Sequence, residues 1–326
     1  MASAALGPKR STILTMKAKV ILAGGSGFLG QVLSAHYLQR GWDVVVLTRA
    51  PQGRADSVQE IVWDGVRVGE WARAVDGAEV VINLAGLSVN CRYHARNQKR
   101  LVDSRILPTR ALGEAIQQCA RPPKIWFNAS TATIYKHTFG PPWDEAGEIG
   151  AHPDAKDAFS IEIAAAWERE FDAAKTPRTR KVALRSAMVL GLGANSVFPT
   201  LCRLVRFGLG GTMAGGQQFV SWIHETDFCR AIDWLVDRLE ISGVVNLAAP
   251  SPVTNREMMA TLRELCGMPV GLPASRWMLE VGAFLLRTET ELIIKSRRVI
   301  SKRLRDGGFA FRYQTMREAM KELLQR

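Results

Sequence analysis

Apolar residues fall in short, spaced runs along the chain, and most runs are followed by a stretch with helical spacing. Residues 18–23, AKVILA, form the first run, which ends in glycines and predicts a strand buried on both faces. Residues 28–40 then place Leu29, Val32, Leu33, His36 and Tyr37 on one side of a helix, and Gly41 ends it. Further strands are predicted at 43–47, 58–63, 79–84, 124–130 and 181–185. Helices are predicted near 70–75 and over 95–118 and 155–174. Such alternation builds a parallel sheet covered on both faces by right-handed crossovers. The expected fold class is therefore α/β, a doubly wound parallel sheet.

After Ser186 the pattern loosens. Glycine-rich turns at 208–211 and 215–216 interrupt it, a helix over 225–240 and a strand over 244–247 resume it, and beyond Pro250 the spacing is mostly helical. The organisation this predicts is an N-terminal extension, 1–15, and a nucleotide-binding sheet domain, 16–190, to which 225–249 return. Residues 191–224 and 250–326 then form a smaller, mostly helical C-terminal domain on the substrate side. Residues 1–15 read as an extended start rather than a transit or secretory segment, because they carry two basic residues and no apolar core.

The chemistry is concentrated in Gly24-Gly25-Ser26-Gly27-Phe28-Leu29-Gly30, which joins the first strand to the first helix. It contains G-x-G-x-x-G in the strand–loop–helix setting that a dinucleotide pyrophosphate needs. One glycine takes the tight turn, one lets the phosphates approach the backbone, and the last lets helix and strand pack closely. The helix then turns its free N–H groups toward the anion. This is a Rossmann-type arrangement. The second strand ends at Thr48-Arg49, where an NAD site usually has an acid for the ribose hydroxyls. A hydroxyl and a guanidinium there suit a 2′-phosphate, so NADP is the expected cofactor. Asp64 is read either as an acceptor for the adenine amine or as the first residue of an Asp64-Gly65 turn.

The rest of the composition narrows the function. The formal charge is +12, but the basic residues are spread along the chain without interleaved aromatics. That pattern favours an anionic small molecule over nucleic acid. No apolar stretch reaches the ~18 residues of a membrane span. Five separated cysteines without C-x-x-C predict free thiols in a cytoplasmic protein, and no metal site is expected. A homodimer is compatible with the sequence.

The motifs together resemble the short-chain dehydrogenase/reductase superfamily, in its extended or atypical branch. More narrowly, they resemble the epimerase-family proteins that carry a C-terminal domain of unknown function. AGGSGFLG at 23–30, VVINLAG at 80–86, SRILPTRAL at 104–112 and LRSAMVLG at 184–191 carry the resemblance. GLGG at 208–211, WIHETD at 222–227 and KRLRDGGFAFRY at 302–313 extend it to the end of the chain. The resemblance implies a cleft between sheet and C-terminal part, with Leu84, Ala85 and Gly86 beside the cofactor. It further implies that Ser130, with Thr131 and Thr133 near it, faces the substrate, and that the segment from Arg185 to Val189 flanks the nicotinamide.

One part of the superfamily pattern is missing. Its catalytic tyrosine and lysine align with Ala158 and Glu162, and no Y-x-x-x-K occurs in the chain. Candidates to replace the proton donor are Tyr135, which otherwise packs as a bonded aromatic, and His224, which otherwise caps the next helix. Arg92 is a candidate for a substrate anion or the pyrophosphate, beside a thiol at Cys91. Glu162 is a further candidate, as a base, and otherwise reads as an exposed helix glutamate, while Glu168 reads as a solvated charge beside a packed Trp167. The function expected is an NADP-binding oxidoreductase or epimerase-like enzyme in which Ser130 and Tyr135 polarise the oxygen of a small substrate. The alternative is an NADP-binding sensor or scaffold without turnover.

Overall fold

The computed structural model describes residues 17–286 and 289–326, so the extension expected at 1–15 lies outside the described residues. Its strands are β1 Lys19–Ala23, β2 Asp43–Thr48, β3 Gln59–Val62, β4 Val80–Asn83, β5 Ile125–Thr131 and β6 Arg180–Ser186, followed by β7 Met188–Leu190, β8 Phe219–Val220, β9 Trp222–His224, β10 Gly243–Leu247 and β11 Val253–Thr254. The helices are α1 Phe28–Gln39, α2 Ala95–Gln118, α3 Ala158–Ala173, α4 Val197–Arg206 and α5 Glu225–Asp237, followed by α6 Asn255–Leu265, α7 Arg276–Leu286, α8 Glu291–Ile294, α9 Lys302–Asp306 and α10 Met316–Gln325.

Seven strands form one sheet in the order β10-β6-β5-β4-β1-β2-β3, and every pairing is parallel. The strand order reverses between β1 and β4, which leaves a crevice at their carboxyl ends. Val, Ile and Leu fill the strands because both faces are covered. One face packs on α1 and α5 through Val20, Leu22, Leu33, Phe228 and Ile232. The other packs on α2 and the helical turn Glu70–Ala74 through Ile21, Val81, Leu112, Ile116, Trp71 and Trp126.

β10 joins the edge of β6 after a long excursion, in register from Gly243 opposite Val182 to Leu247 opposite Ser186. The excursion and the C-terminal part hold a separate apolar cluster in which Phe198, Val205, Met259, Leu262, Met320 and Leu323 pack α4, α6 and α10 together. Capping boxes at Thr254/Glu257 and Thr315/Glu318 fix the starts of α6 and α10. Among the described residues no helix is long and apolar enough to cross a membrane.

Candidate dinucleotide and substrate cleft

The glycine loop sits at the reversal point, between β1 and α1. Gly24 has φ +73°, and a Cβ on it would lie 2.7 Å from the Cα of Ala85. Side-chain-bearing residues are excluded there both by the left-handed backbone and by the neighbouring β4 turn. At Gly30 a Cβ would lie 2.2 Å from the carbonyl oxygen of Gly25, so this glycine sets the close packing of helix on strand. Gly27 differs, because a Cβ there would meet nothing within 4 Å. It is the N-cap of α1, no side chain caps the helix, and its first turn holds no acid. Free N–H groups and the positive end of the helix dipole thus face open space, a setting that favours an anion.

A buried polar chain fixes the opposite wall. Asn83 at the end of β4 donates from Nδ2 to Thr109 Oγ1 at 2.9 Å and to Asn128 Oδ1 at 2.7 Å. Its Oδ1 accepts from the Ala85 N–H at 3.1 Å, which sets the turn Leu84-Ala85-Gly86. Trp167 Nε1 joins the same chain by donating to Thr109 Oγ1 at 3.0 Å. Every buried group in it has a partner, so the turn is held rigidly.

The cleft has two lobes that meet at Gly24, Gly27, Leu84 and Gly86. The outer lobe measures about 670 Å³ and the inner about 370 Å³. Ser26, Thr48, Arg49, Asp64 and Ala85 line the outer lobe, as do Trp63 and Arg100, which sequence reasoning did not select. Arg49 is exposed at the end of β2. The Oδ1 of Asp64 accepts from the N–H groups of Arg67 and Val66, and these bonds hold its carboxyl below the usual range. Asp64 is therefore a turn residue whose exposed carboxylate also borders the lobe.

Phe28, Leu29, Gly30, Ser130, Thr131, Thr133, Ser160, Trp167 and Arg105 line the inner lobe. Ser130 donates its proton to Glu168 Oε1 at 2.5 Å, which leaves its lone pairs as what it can offer toward the lobe. Glu168 had been expected as a solvated charge, but it is buried. Its carboxylate takes Arg185 in a fork, Nε at 2.8 Å and Nη2 at 2.7 Å.

That pair corrects two expectations. Arg185 was placed beside the nicotinamide, but it is 4% exposed and borders neither lobe. Burial works against its charge, and Glu168 outweighs burial, so the guanidinium is held more firmly protonated than usual. Tyr135, expected as the proton donor, is 1% exposed. Its hydroxyl donates to Asn246 Oδ1 at 2.8 Å and accepts from Arg185 Nη1 at 2.9 Å, and burial raises its pKa further. The Tyr135→Phe variant is expected to lose about 1–3 kcal/mol of stability, because two buried groups lose their partner. Dinucleotide affinity should stay unchanged. Urea denaturation and fluorescence titration of the same sample check both.

His224 is also displaced from its expected role at substrate. It is fully buried, its Nδ1 accepts from the Thr226 N–H at 3.0 Å to cap α5, and Nε2 lies 3.0 Å from Glu322 Oε2. Arg92 lies outside both lobes and pairs with Glu289 at 3.4 Å. Glu162 is exposed on α3.

The C-terminal part touches the wall of the inner lobe through α8, which contacts the lobe-lining Ser160. Glu291, 3% exposed, accepts from Ser160 Oγ in a short hydrogen bond and from Tyr93 Oη at 3.4 Å. Burial pushes its carboxyl upward, against the hydrogen bond from Ser160 and the charges of Arg297 and Lys295. Lys295 itself pairs with Asp157 at 2.5 Å, just before α3 begins. Neither Glu168 nor Glu291 had been selected from the sequence as a site residue.

These features define an α/β protein with a dinucleotide cleft at the sheet's reversal point. The chain belongs to the NAD dependent epimerase/dehydratase family, whose model matches residues 20–248, and residues 274–323 match a domain of unknown function, DUF1731. It is 29% identical over 312 residues to the human epimerase family protein SDR39U1, covering 94% of this chain and 99% of the relative. It is 28% identical to the epimerase family protein YfhF of Bacillus subtilis, covering 94% and 97%. The crystal structure of human SDR39U1 (isoform 2) with NADPH superposes with a TM-score of 0.81 at 26% identity, over 94% of this chain and 99% of that one. The fold is also that of MoeE5 in complex with UDP-glucuronic acid and NAD, with a TM-score of 0.75 at 22% identity, over 95% and 99%.

Proposed function

We propose that this protein binds NADP in the two-lobed cleft and acts as an oxidoreductase or epimerase-like enzyme on a small hydroxyl, carbonyl or nucleotide-sugar-like compound. The observation that carries the reading is the open, uncapped helix start at Gly27, with a cation at the outer end of the cleft and hydroxyls at the inner. The residues fit the dinucleotide. The first turn of α1 would hold its pyrophosphate, Thr48 and Arg49 its 2′-phosphate, and Leu84 to Gly86 would flank it. A bound nicotinamide supplies the carbon that gives or takes hydride.

What the chain itself contributes is binding, orientation and a fixed hydrogen-bond polarity. Ser130 and Ser160 border the inner lobe with their protons committed to Glu168 and Glu291. In this arrangement each serine oxygen can accept a hydrogen bond from a ligand hydroxyl, so Ser130 is the residue we assign to orient the reacting oxygen, without Tyr135. The five unpaired cysteines are in keeping with a reducing, cytoplasmic setting.

A second reading, an NADP-binding sensor or scaffold without turnover, is favoured by one observation: the positions of the superfamily's Tyr-Lys pair hold Ala158 and Glu162. Incubation with NADP and a panel of alcohols and nucleotide sugars separates the two: net reduced cofactor marks an oxidoreductase, an inverted sugar carbon without net reduction marks an epimerase, and neither change marks the second reading. Cofactor choice has its own test. Arg49→Asp is expected to weaken NADPH about 10- to 100-fold, the worth of a charge-assisted fork, and to leave NADH the same or better. Tryptophan fluorescence titration with both cofactors reads this, and an unchanged preference removes Arg49 from the assignment.

A further inference from the structure

The buried side of α2 is apolar, with Leu101, Pro108, Leu112 and Ile116 turned inward along with Thr109. Arg105 falls on the same stripe, four residues after Leu101 and four before Thr109. Among the described residues its guanidinium has no carboxylate partner. Nη1 donates to the Leu101 carbonyl at 3.0 Å and to Ser104 Oγ at 3.3 Å, and Nη2 donates to the Leu87 carbonyl at 3.1 Å. The group lies 5.2 Å from the ring centre of Trp167. These contacts use three of the five N–H donors of an arginine. Among the described residues, Nε–H and one N–H of Nη2 have no acceptor.

Burial pulls this guanidinium down to about 10, which still leaves it charged at neutral pH. The ionisable side chains that act on that charge are Tyr93 and Cys91, neither of them a carboxylate. A half-buried, largely desolvated cation without a counter-charge is costly to maintain, and a ligand anion would offset that cost. Arg105 borders the inner lobe together with Ser130, Thr131, Thr133 and Ser160, across from Phe28 to Gly30. Arg92, the cation the sequence suggested for this task, is instead paired with Glu289.

We propose that Arg105 is the oxyanion-binding group of the inner lobe, taking two oxygens of a phosphate or carboxylate on its unused donors. The inference rests on the reading of this cleft as a ligand site. The same chemistry has two sources, a phosphate of the dinucleotide or an acidic group on the substrate, and these are separable.

Calorimetric titration of the full chain with inorganic phosphate, with malate and with NADP, on wild type, Arg105→Met and Arg105→Gln, is the test. Circular dichroism verifies folding, and the glutamine variant retains a hydrogen-bond donor, whereas methionine removes the donor to the Leu87 carbonyl. Phosphate or malate is expected to bind wild type and to weaken about 10- to 100-fold in both variants. Anion binding that persists at saturating NADP assigns Arg105 to the substrate, and binding that NADP displaces, with NADP itself weakened in the variants, assigns it to the cofactor. Absence of anion binding to wild type overturns the proposal, as does binding that both variants retain in full. Normal NADP binding with indifferent Arg105 variants sinks this inference alone. Anion binding lost in the variants, with no NADP heat at all, sinks the dinucleotide reading and leaves the oxyanion site standing.

Discussion

Replacing Gly27 by aspartate is expected to abolish dinucleotide binding and leave the protein as stable as before. The position tolerates a side chain sterically, because nothing lies within 4 Å of its would-be Cβ. It is also the N-cap of α1, where aspartate is among the preferred residues and adds a helix-stabilising hydrogen bond. The same carboxylate would fill and charge the space that a pyrophosphate needs. Affinity for NADPH should fall at least 100-fold, about 2.7 kcal/mol, read by fluorescence titration beside a thermal melt. Gly30→Ala gives the contrast. Its Cβ would fall 2.2 Å from the Gly25 carbonyl oxygen, so this variant should fail at the level of folding. A Gly27→Asp protein that binds NADPH normally would remove the pyrophosphate from the helix start.

The second large effect is expected from the buried Glu168–Arg185 pair. Arg185→Met leaves a carboxylate in a buried site with only Ser130 to satisfy it, and the loss should be about 3–5 kcal/mol. A double variant, Glu168→Leu with Arg185→Met, removes both charges and should recover most of that loss, since buried ion pairs are often no better than well-packed apolar groups. Chemical denaturation of the two single variants and the double variant measures the coupling. If the double variant is as unstable as the sum of the singles, the ion pair is not the unit that holds this region. Ser130 makes the effect functional as well as structural. Without Glu168 its hydroxyl is free to turn, and its fixed role as an acceptor toward the inner lobe is lost.

The sheet was legible because each strand is a short run of β-branched and aliphatic residues, and each such run in a parallel sheet is buried on both faces. The glycine loop was legible because three backbone constraints fall on three spaced glycines. Glu168 and Arg105 were hidden by the habit of reading charge as exposure. Both carry a periodic signal that contradicts it. Glu168 lies four residues after Ala164 and eight after Ser160, on the buried stripe of α3. Arg105, half-buried, falls in phase with the corresponding stripe of α2, four residues after Leu101 and four before Thr109. A charge in phase with an apolar stripe is a statement that a partner waits inside. Tyr135 and His224 differ again: each takes its alternative reading, a bonded aromatic and a helix cap, and only the proton-donor reading fails. Their residue types suit proton transfer, but the partners that bury them, Asn246 and Glu322, come from positions 111 and 98 residues further along the chain. No local pattern reports contacts of that span. Glu291 was out of reach for the same reason, since it meets Ser160 across 131 residues.

The late arrival of β10 has a consequence for how the chain is made. During synthesis the first six strands can assemble, but β6 then presents a bare edge of unpaired amides and carbonyls until Gly243–Leu247 has emerged. The residues made in that interval, β7 to α5, include apolar side chains that remain uncovered until α6 and α10 follow. Truncations ending between α4 and β10 should therefore bind chaperones and aggregate, whereas in chains that include β10 the β6 edge is paired and the new outer strand has its Asn246 N–H taken by Glu145 Oε1 at 3.1 Å.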